Sequence, residues 1–329
     1  MTRHEAVQSI VAGREGTTRD NATSYAPANI ALCKYWGKRN AELNLPVNSS
    51  VSVSLRDKGT HTQLTRSQRN QLTINEQEIS EDDKAFVRLF DFLGLFCQDP
   101  LRVETRSTIP IAAGLASSAS AFASMTLALN KLQDWQLTDK EMSMLARLGS
   151  GSASRSIYNG FVEWHAGSLD DGMDSFAERL DVEWPEFRIG VLTISESEKP
   201  VGSREGMNRT VAESALYRAW PDVAARDLRD IREAIVVKDF ELLGACAESN
   251  AMSMHGTMLG CRPPLLYWRP DSVSTLEQIW HLRSEGLPVY ATMDAGPNIK
   301  LLFLENVENE VKSALPDLQS IAPFTDSNT

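Results

Sequence analysis

Residues 49–55, SSVSVSL, alternate polar and apolar side chains, the period of two that gives a strand one buried face. TQLTR (62–66) and QLTIN (71–75) repeat the pattern, with turn-like polar residues between them. The period then changes: in EDDKAFVRLFDFLGLF (81–96), Phe86, Leu89, Phe90 and Leu93 recur at helical intervals. LRVETRSTIP (101–110) predicts a strand ended by Pro110. Beyond Gly114, the spacing of Phe122, Met125, Leu129 and Leu132 predicts a helix that starts at Ser117 or Ser118. TDKEMSMLARL (138–148) opens on a capping-box pattern, Thr138 and Glu141, and stops at Gly149. Strands are expected at 160–167 and 187–194, a loop and domain boundary in KPVGSREGMN (199–208), and helices around 222–248. PVYATMD, the tight turn AGPN and IKLLFLE close the pattern as a hairpin-like return. Strands and helices are mixed rather than strictly alternating, which favours an α+β fold over a doubly wound parallel sheet.

Composition adds bounds to this picture. The 329 residues are 42% hydrophobic and 23% charged, a globular balance with room for one large or two moderate domains. No apolar run approaches the roughly 20 residues that span a bilayer, so no membrane partner is expected. MTRHEAVQSIVAGREGTTRD lacks the apolar core of a signal peptide, and residues 1–20 read as a flexible N-terminal extension. A net charge of −11 argues against nucleic-acid binding, which needs a basic footprint. It leaves room for a local cluster of cations around an anionic small molecule. Cys33, Cys97, Cys246 and Cys261 are scattered, with no CxxC pair and no zinc spacing. Idle thiols of this kind fit a reducing, cytoplasmic location.

Five stretches carry candidate chemistry. IPIAAGLASSASAF (109–122) sets Gly114, Ser117, Ser118 and Ser120 at a helix mouth, where unpaired N–H groups and the helix dipole can hold phosphate. It is not GxxxxGK[ST] and contains no cation, and small residues suit close packing against a sheet equally well. GSGSASRSIYNG (149–160) sets Arg155 at a second probable helix start, where the dipole disfavours a cation and a bound anion would resolve the conflict. ANIALCKYWGKRN (28–40) offers Lys34, Lys38 and Arg39 around Tyr35, Trp36 and Gly37; a solvated turn is its plainer explanation. GSREGMNRT (202–210) offers Arg204 in a loop, and TMDAGPN (292–298) ends an apolar strand on Asp294, which could simply organise an Asx-turn. Each plain explanation stands singly; one phosphate-handling site explains all five together.

In chain order, these stretches with LPVNSSVSVSL, RLGSGSASRSIYNGFVEW and SNAMSMHGTML resemble the mevalonate diphosphate decarboxylases of the GHMP small-molecule kinase superfamily, over residues 25–305 or so. KYWGKR and SGSASRS are specific to that branch, GLASSAS only to the superfamily; Ser154 stands where the family often has Cys. The resemblance implies a ribosomal protein S5 domain 2-like N-terminal domain (21–205) and a GHMP C-terminal α/β-sandwich domain (206–329). It implies ATP, Mg²⁺, mevalonate 5-diphosphate as substrate and a homodimer. Asp294, Arg155 and Lys34 are the implied catalytic residues, with Arg155 on the substrate carboxylate and holding Asp294 ionised. Tyr35, Lys38, Ser150, Ser152 and Arg204 would hold the diphosphate, and Gly114, Leu115, Ala116, Ser117 and Ser118 the ATP. Related activities on the same scaffold are a mevalonate 3-kinase and a phosphomevalonate decarboxylase; a non-catalytic ligand sensor would be expected to have lost Asp294, Arg155 or the loop.

Overall fold

A computed structural model describes residues 1–14, 16–109, 117–197, 199 and 201–325. The first half runs α1 (Arg3–Val11), β1 (Asn21–Cys33), β2 (Lys38–Asn40), β3 (Leu45–Pro46), β4 (Ser50–Arg66), β5 (Gln71–Ile74), β6 (Gln77–Ile79), α2 (Lys84–Leu93) and β7 (Leu101–Ser107). It continues with α3 (Ser117–Gln133), α4 (Asp139–Gly149), a 3₁₀ turn (Gly151–Ile157), β8 (Phe161–Trp164) and β9 (Ala177–Arg179). The second half contains β10 (Phe187–Leu192), α5 (Ser203–Glu213), α6 (Trp220–Val237), α7 (Phe240–Leu259), α8 (Pro270–Ser284), β11 (Tyr290–Met293), β12 (Ile299–Leu304), α9 (Glu308–Ala314) and β13 (Gln319–Ile321).

The first sheet has the order β6-β5-β7-β4-β8-β9, with β1 along the other side of β4. All its pairings are antiparallel except β5 with β7. SSVSVSL and TQLTR, read as separate strands, are two ends of the single 17-residue strand β4. Val51, Val53 and Leu55 of its first half are buried, and so are the intervening Ser50, Ser52 and Ser54. The alternation therefore marks two buried faces of different polarity, not one wet and one dry. On the serine face, Ser50 accepts a hydrogen bond from Arg155.

The Ala/Ser-rich start of α3 resolves in favour of packing below its first turn. Ser120 and Ser124 are buried and hydrogen-bond Thr60 (2.7 Å) and Thr62 (2.6 Å) of β4, and Ser24 of β1 donates to the Ser124 carbonyl (2.6 Å). Small side chains let this helix lie close on β1 and β4. Gly114, Leu115 and Ala116 lie outside the described residues.

Three expectations change. The stretch expected to be a flexible extension forms α1, capped by a reciprocal Thr2–Glu5 box, with Ala6, Val7 and Ile10 buried in the core of the first half. Its apolar stripe is only three residues wide in a polar segment, too narrow to register as a pattern. Arg204, expected in a loop, stands in the first turn of α5 after Gly202. Arg155, expected at a helix start, sits near the end of a 3₁₀ turn, so the dipole conflict inferred for it does not arise.

The second sheet, β11-β12-β10-β13, is antiparallel and begins at Phe187, ahead of the expected 205/206 division, because β10 pairs with both β12 and β13. β1, β4 and β8 of the first sheet share one apolar layer with β10, α6 and α7, through Ile30, Val53, Phe161, Phe187, Ile231 and Leu243. Among the described residues, no helix is long and apolar enough to cross a membrane.

Candidate active site

Four chain segments converge on a cavity of about 370 Å³. The run after β1 supplies Lys34, Tyr35, Trp36 and Lys38; the α4–3₁₀ junction supplies Ser150, Gly151, Ser152 and Arg155. The start of α5 supplies Gly202, Ser203 and Arg204, and the β11–β12 turn supplies Asp294 and Ala295. Arg88 of α2, Ser118 of α3, Asn44, Met207 of α5 and Met254 of α7 also line the wall.

The run after β1 turns sharply at Gly37, whose φ is +107°. A side chain there would also collide with the Tyr217 hydroxyl, which donates to the Trp36 carbonyl at 3.0 Å. This fixed turn brings Lys34 and Lys38 to the same cavity.

At the cavity floor, Lys34 Nζ lies 2.9 Å from Asp294 Oδ1 and 2.7 Å from the Ala31 carbonyl. Lys300 Nζ lies 3.6 Å from Asp294 Oδ2. The side chain of Lys34 is 2% exposed and that of Asp294 32%, so the carboxylate is far more open to the cavity than the ammonium. Burial opposes ionisation of Asp294, but Lys34, Lys300 and Lys199 outweigh it and hold the carboxyl well below the usual carboxylate range. Burial pushes Lys34 in the direction of the neutral amine, and Asp294 counters it. We read the pair as ammonium and carboxylate.

Arg155 is buried; it donates to Ser50 Oγ and, at 3.4 Å, to Asn29 Oδ1. Burial lowers its pKa to about 10, which leaves it a cation near neutral pH. Lys34, not Arg155, is the direct partner of Asp294. Arg155 Nε and the Tyr35 hydroxyl are buried polar groups with no hydrogen-bond partner among the described residues, and both belong to residues lining the cavity. Two such donors fit an anionic ligand. Lys38 donates to Asn44 Oδ1 (2.6 Å), and burial together with Arg204 and Arg88 pushes its ammonium down to about 8.

All the substrate-side residues expected from the sequence thus line one cavity, together with Ser118. Arg39 points elsewhere, donating to the Ala166 and Leu169 carbonyls. Ser117 opens α3. Sequence reasoning missed Arg88, Asn44 and Lys300. Arg88 sits on the polar side of an amphipathic helix and Lys300 inside an otherwise apolar strand, so only tertiary placement reveals them.

Arg88 and Ser118 also border a second cavity of about 190 Å³, lined by Ile74, Leu89, Phe122 and Met125 with Thr105 and Ser107. An apolar slot next to a cationic chamber has the polarity of a nucleoside next to phosphates. Among the described residues, no group of three or more His, Cys, Asp or Glu side chains could hold a metal ion. The hard oxygen donors lining the cavity include one carboxylate, Asp294, and the hydroxyls of Ser118, Ser150, Ser152 and Ser203, a set that fits Mg²⁺ carried mainly on nucleotide phosphates.

Residues 26–177 match the diphosphomevalonate decarboxylase-like N-terminal domain, and residues 189–328 match the mevalonate 5-diphosphate decarboxylase C-terminal domain. Diphosphomevalonate decarboxylase of Aspergillus fumigatus is 37% identical over 93% of this chain and 83% of its own. The Staphylococcus aureus mevalonate diphosphate decarboxylase structure superposes with a TM-score of 0.87 at 35% identity, covering 92% of this chain and 95% of that one. A structure described as MDDEF in complex with MVAPP, AMPPCP and magnesium superposes with a TM-score of 0.86 at 38% identity, covering 92% and 97%. With its α+β, GHMP kinase-like architecture and both domains matched, the chain belongs to the mevalonate diphosphate decarboxylase family.

Proposed function

We propose that the chain catalyses ATP-dependent decarboxylation of mevalonate 5-diphosphate to isopentenyl diphosphate, with release of ADP, phosphate and CO₂. The observation that carries this reading is the Lys34–Asp294 pair on the floor of a cavity walled by Lys38, Arg88, Arg155 and Arg204. A fixed carboxylate suits a substrate hydroxyl, and the cationic wall suits a diphosphate and a carboxylate on the same molecule. The relative described in complex with MVAPP, AMPPCP and magnesium supports binding of substrate, nucleotide and Mg²⁺ together.

The tertiary C3 hydroxyl is a poor leaving group, so it is phosphorylated first. Asp294 accepts the hydroxyl's hydrogen bond and orients its oxygen toward the γ-phosphorus of ATP. A carboxylate held this acidic is a weak base, and a loose phosphoryl transfer asks little deprotonation of the nucleophile early on. The proton therefore reaches Asp294 late, as the new O–P bond forms and the bond to ADP breaks. When bound through the nucleotide phosphates, Mg²⁺ neutralises charge on the transferring group. The C3–O bond then breaks, with phosphate keeping the electron pair. The C1–C2 bonding pair becomes the C2=C3 double bond as CO₂ departs. Arg155 restrains the C1 carboxylate in line for that cleavage. Tyr35, Lys38, Ser150, Ser152 and Arg204 hold the 5-diphosphate, whose binding energy fixes C3. We assign the ATP phosphates to the sequence stretch Gly114, Leu115, Ala116, Ser117 and Ser118 that leads into α3, and the nucleoside to the apolar slot lined by Phe122 and Met125. We extend the reading to a cytoplasmic homodimer on the strength of the family resemblance and the scattered thiols.

Mevalonate 5-diphosphate, mevalonate 5-phosphate and mevalonate, each supplied with Mg-ATP, test the reading. Equal amounts of ADP and CO₂ are expected from the diphosphate alone. ADP without CO₂ would make the chain a 3-kinase, and turnover of the monophosphate alone would assign the other decarboxylase.

A further inference from the structure

The stretch SNAMSMHG (249–256) has no part in the chemistry above, yet two of its side chains reach the catalytic pair from behind. Asn250 and His255 lie on α7 and are both buried. The Lys34 backbone N–H donates to Asn250 Oδ1 at 2.7 Å, and Asn250 Nδ2 donates to Asp227 Oδ2 at 2.9 Å. Asp227 thereby fixes which way round the Asn250 amide stands. Five residues on, His255 Nε2 lies 3.1 Å from the main-chain oxygen of Asp294. A carbonyl only accepts, so Nε2 carries the proton and donates. The imidazole ring packs against Trp268, with centroids 5.2 Å apart.

We infer that α7 is a template for the catalytic pair: Asn250 and His255 are positioning residues that hold the main chains of Lys34 and Asp294, one from each half of the molecule, so that their side chains meet. The rest of the aspartate's turn is tied down independently. Ser272 Oγ donates to the Pro297 carbonyl (2.9 Å), and Asn298 Oδ1 accepts from the Ile194 and Ser195 N–H groups (2.8 and 2.9 Å). His255 ties the main chain at Asp294 itself. Burial, helped by Lys34 and Lys300, holds its imidazole well below the ordinary value, at about 4. The tie is therefore neutral at working pH and adds no charge behind the carboxylate.

This inference rests on the assignment of Asp294, so Asp294→Asn runs beside the test in the same ADP and CO₂ assay. His255→Leu removes the donor; His255→Gln returns an amide N–H close to the Nε2 position. With mevalonate 5-diphosphate and Mg-ATP, His255→Leu is expected to lower kcat roughly 10- to 100-fold, the scale of a misplaced reacting group, with KM for the substrate within about twofold of wild type. His255→Gln is expected to recover most of that loss. Asn250→Ala combined with His255→Leu is expected to cost little more than the worse single change, because both loosen one pair, whereas unrelated defects multiply. Full kcat in His255→Leu, no recovery with Gln, multiplicative costs, or loss of folding in both His255 variants would each overturn the inference. If Asp294→Asn stays active, the assignment of the aspartate fails instead; if it is inactive while His255→Leu is not, only the template fails.

Discussion

Lys34 keeps its ammonium where water hardly reaches, and burial alone would favour the neutral amine. Asp294 offsets that cost, and Lys34 in turn lets a carboxylate sit ionised at a cavity floor. The pair is thus mutually dependent, and neither residue is interchangeable with a neutral isostere. Lys38 has a different balance. Burial, together with Arg204 and Arg88, pushes its ammonium down to about 8. Below that pH it is a cation, which on the proposed assignment attracts the diphosphate; as pH rises through it, the charge is lost. Because kcat/KM reports the free enzyme, kcat/KM for mevalonate 5-diphosphate should fall above about pH 8. Lys38→Arg, whose charge does not titrate in this range, should flatten that limb. A limb that persists unchanged in Lys38→Arg would assign it to another group.

At the scale of elements, α1 stabilises the first half without approaching the chemistry. Ile10 is buried against the core beneath α1 and α4, so Ile10→Ala should cost about 2 kcal/mol of stability with kcat unchanged, measured by urea denaturation and steady-state turnover. The sequence conveyed long amphipathic elements well: α2, the boxed start of α4 and the β11–β12 hairpin follow from spacing and turn residues. It conveyed β1 poorly. The buried face of that strand begins Ala22, Ser24, Ala26, small because α3 lies on it, so hydrophobic contrast vanishes where packing is closest. A bulge between Pro27 and Asn29 breaks the remaining alternation. Candidate site residues borne on marked motifs, such as Lys34, Arg155 and Asp294, could be picked out, and they line one cavity. Arg88, Asn250, His255 and Lys300 could not be, because each sits within a regular element and acquires its role only from the fold.

For the whole molecule, the two sheets share an apolar layer instead of being joined by a loose tether. That layer explains how Lys34 from one half and Asp294 from the other can be held 2.9 Å apart. It also reconciles a net charge of −11 with an anionic substrate: the cations are gathered at the junction, where low dielectric and shape concentrate their field. We propose that Asp294, set in this junction, directs phosphorylation of the C3 hydroxyl. Its most direct test is Asp294→Asn, with CO₂ and ADP release measured alongside the Kd for mevalonate 5-diphosphate. A loss of about 10² or more in both products is expected, with substrate binding no weaker than wild type. Retention of more than about a tenth of the wild-type rate, short of that 10² loss, would contradict it.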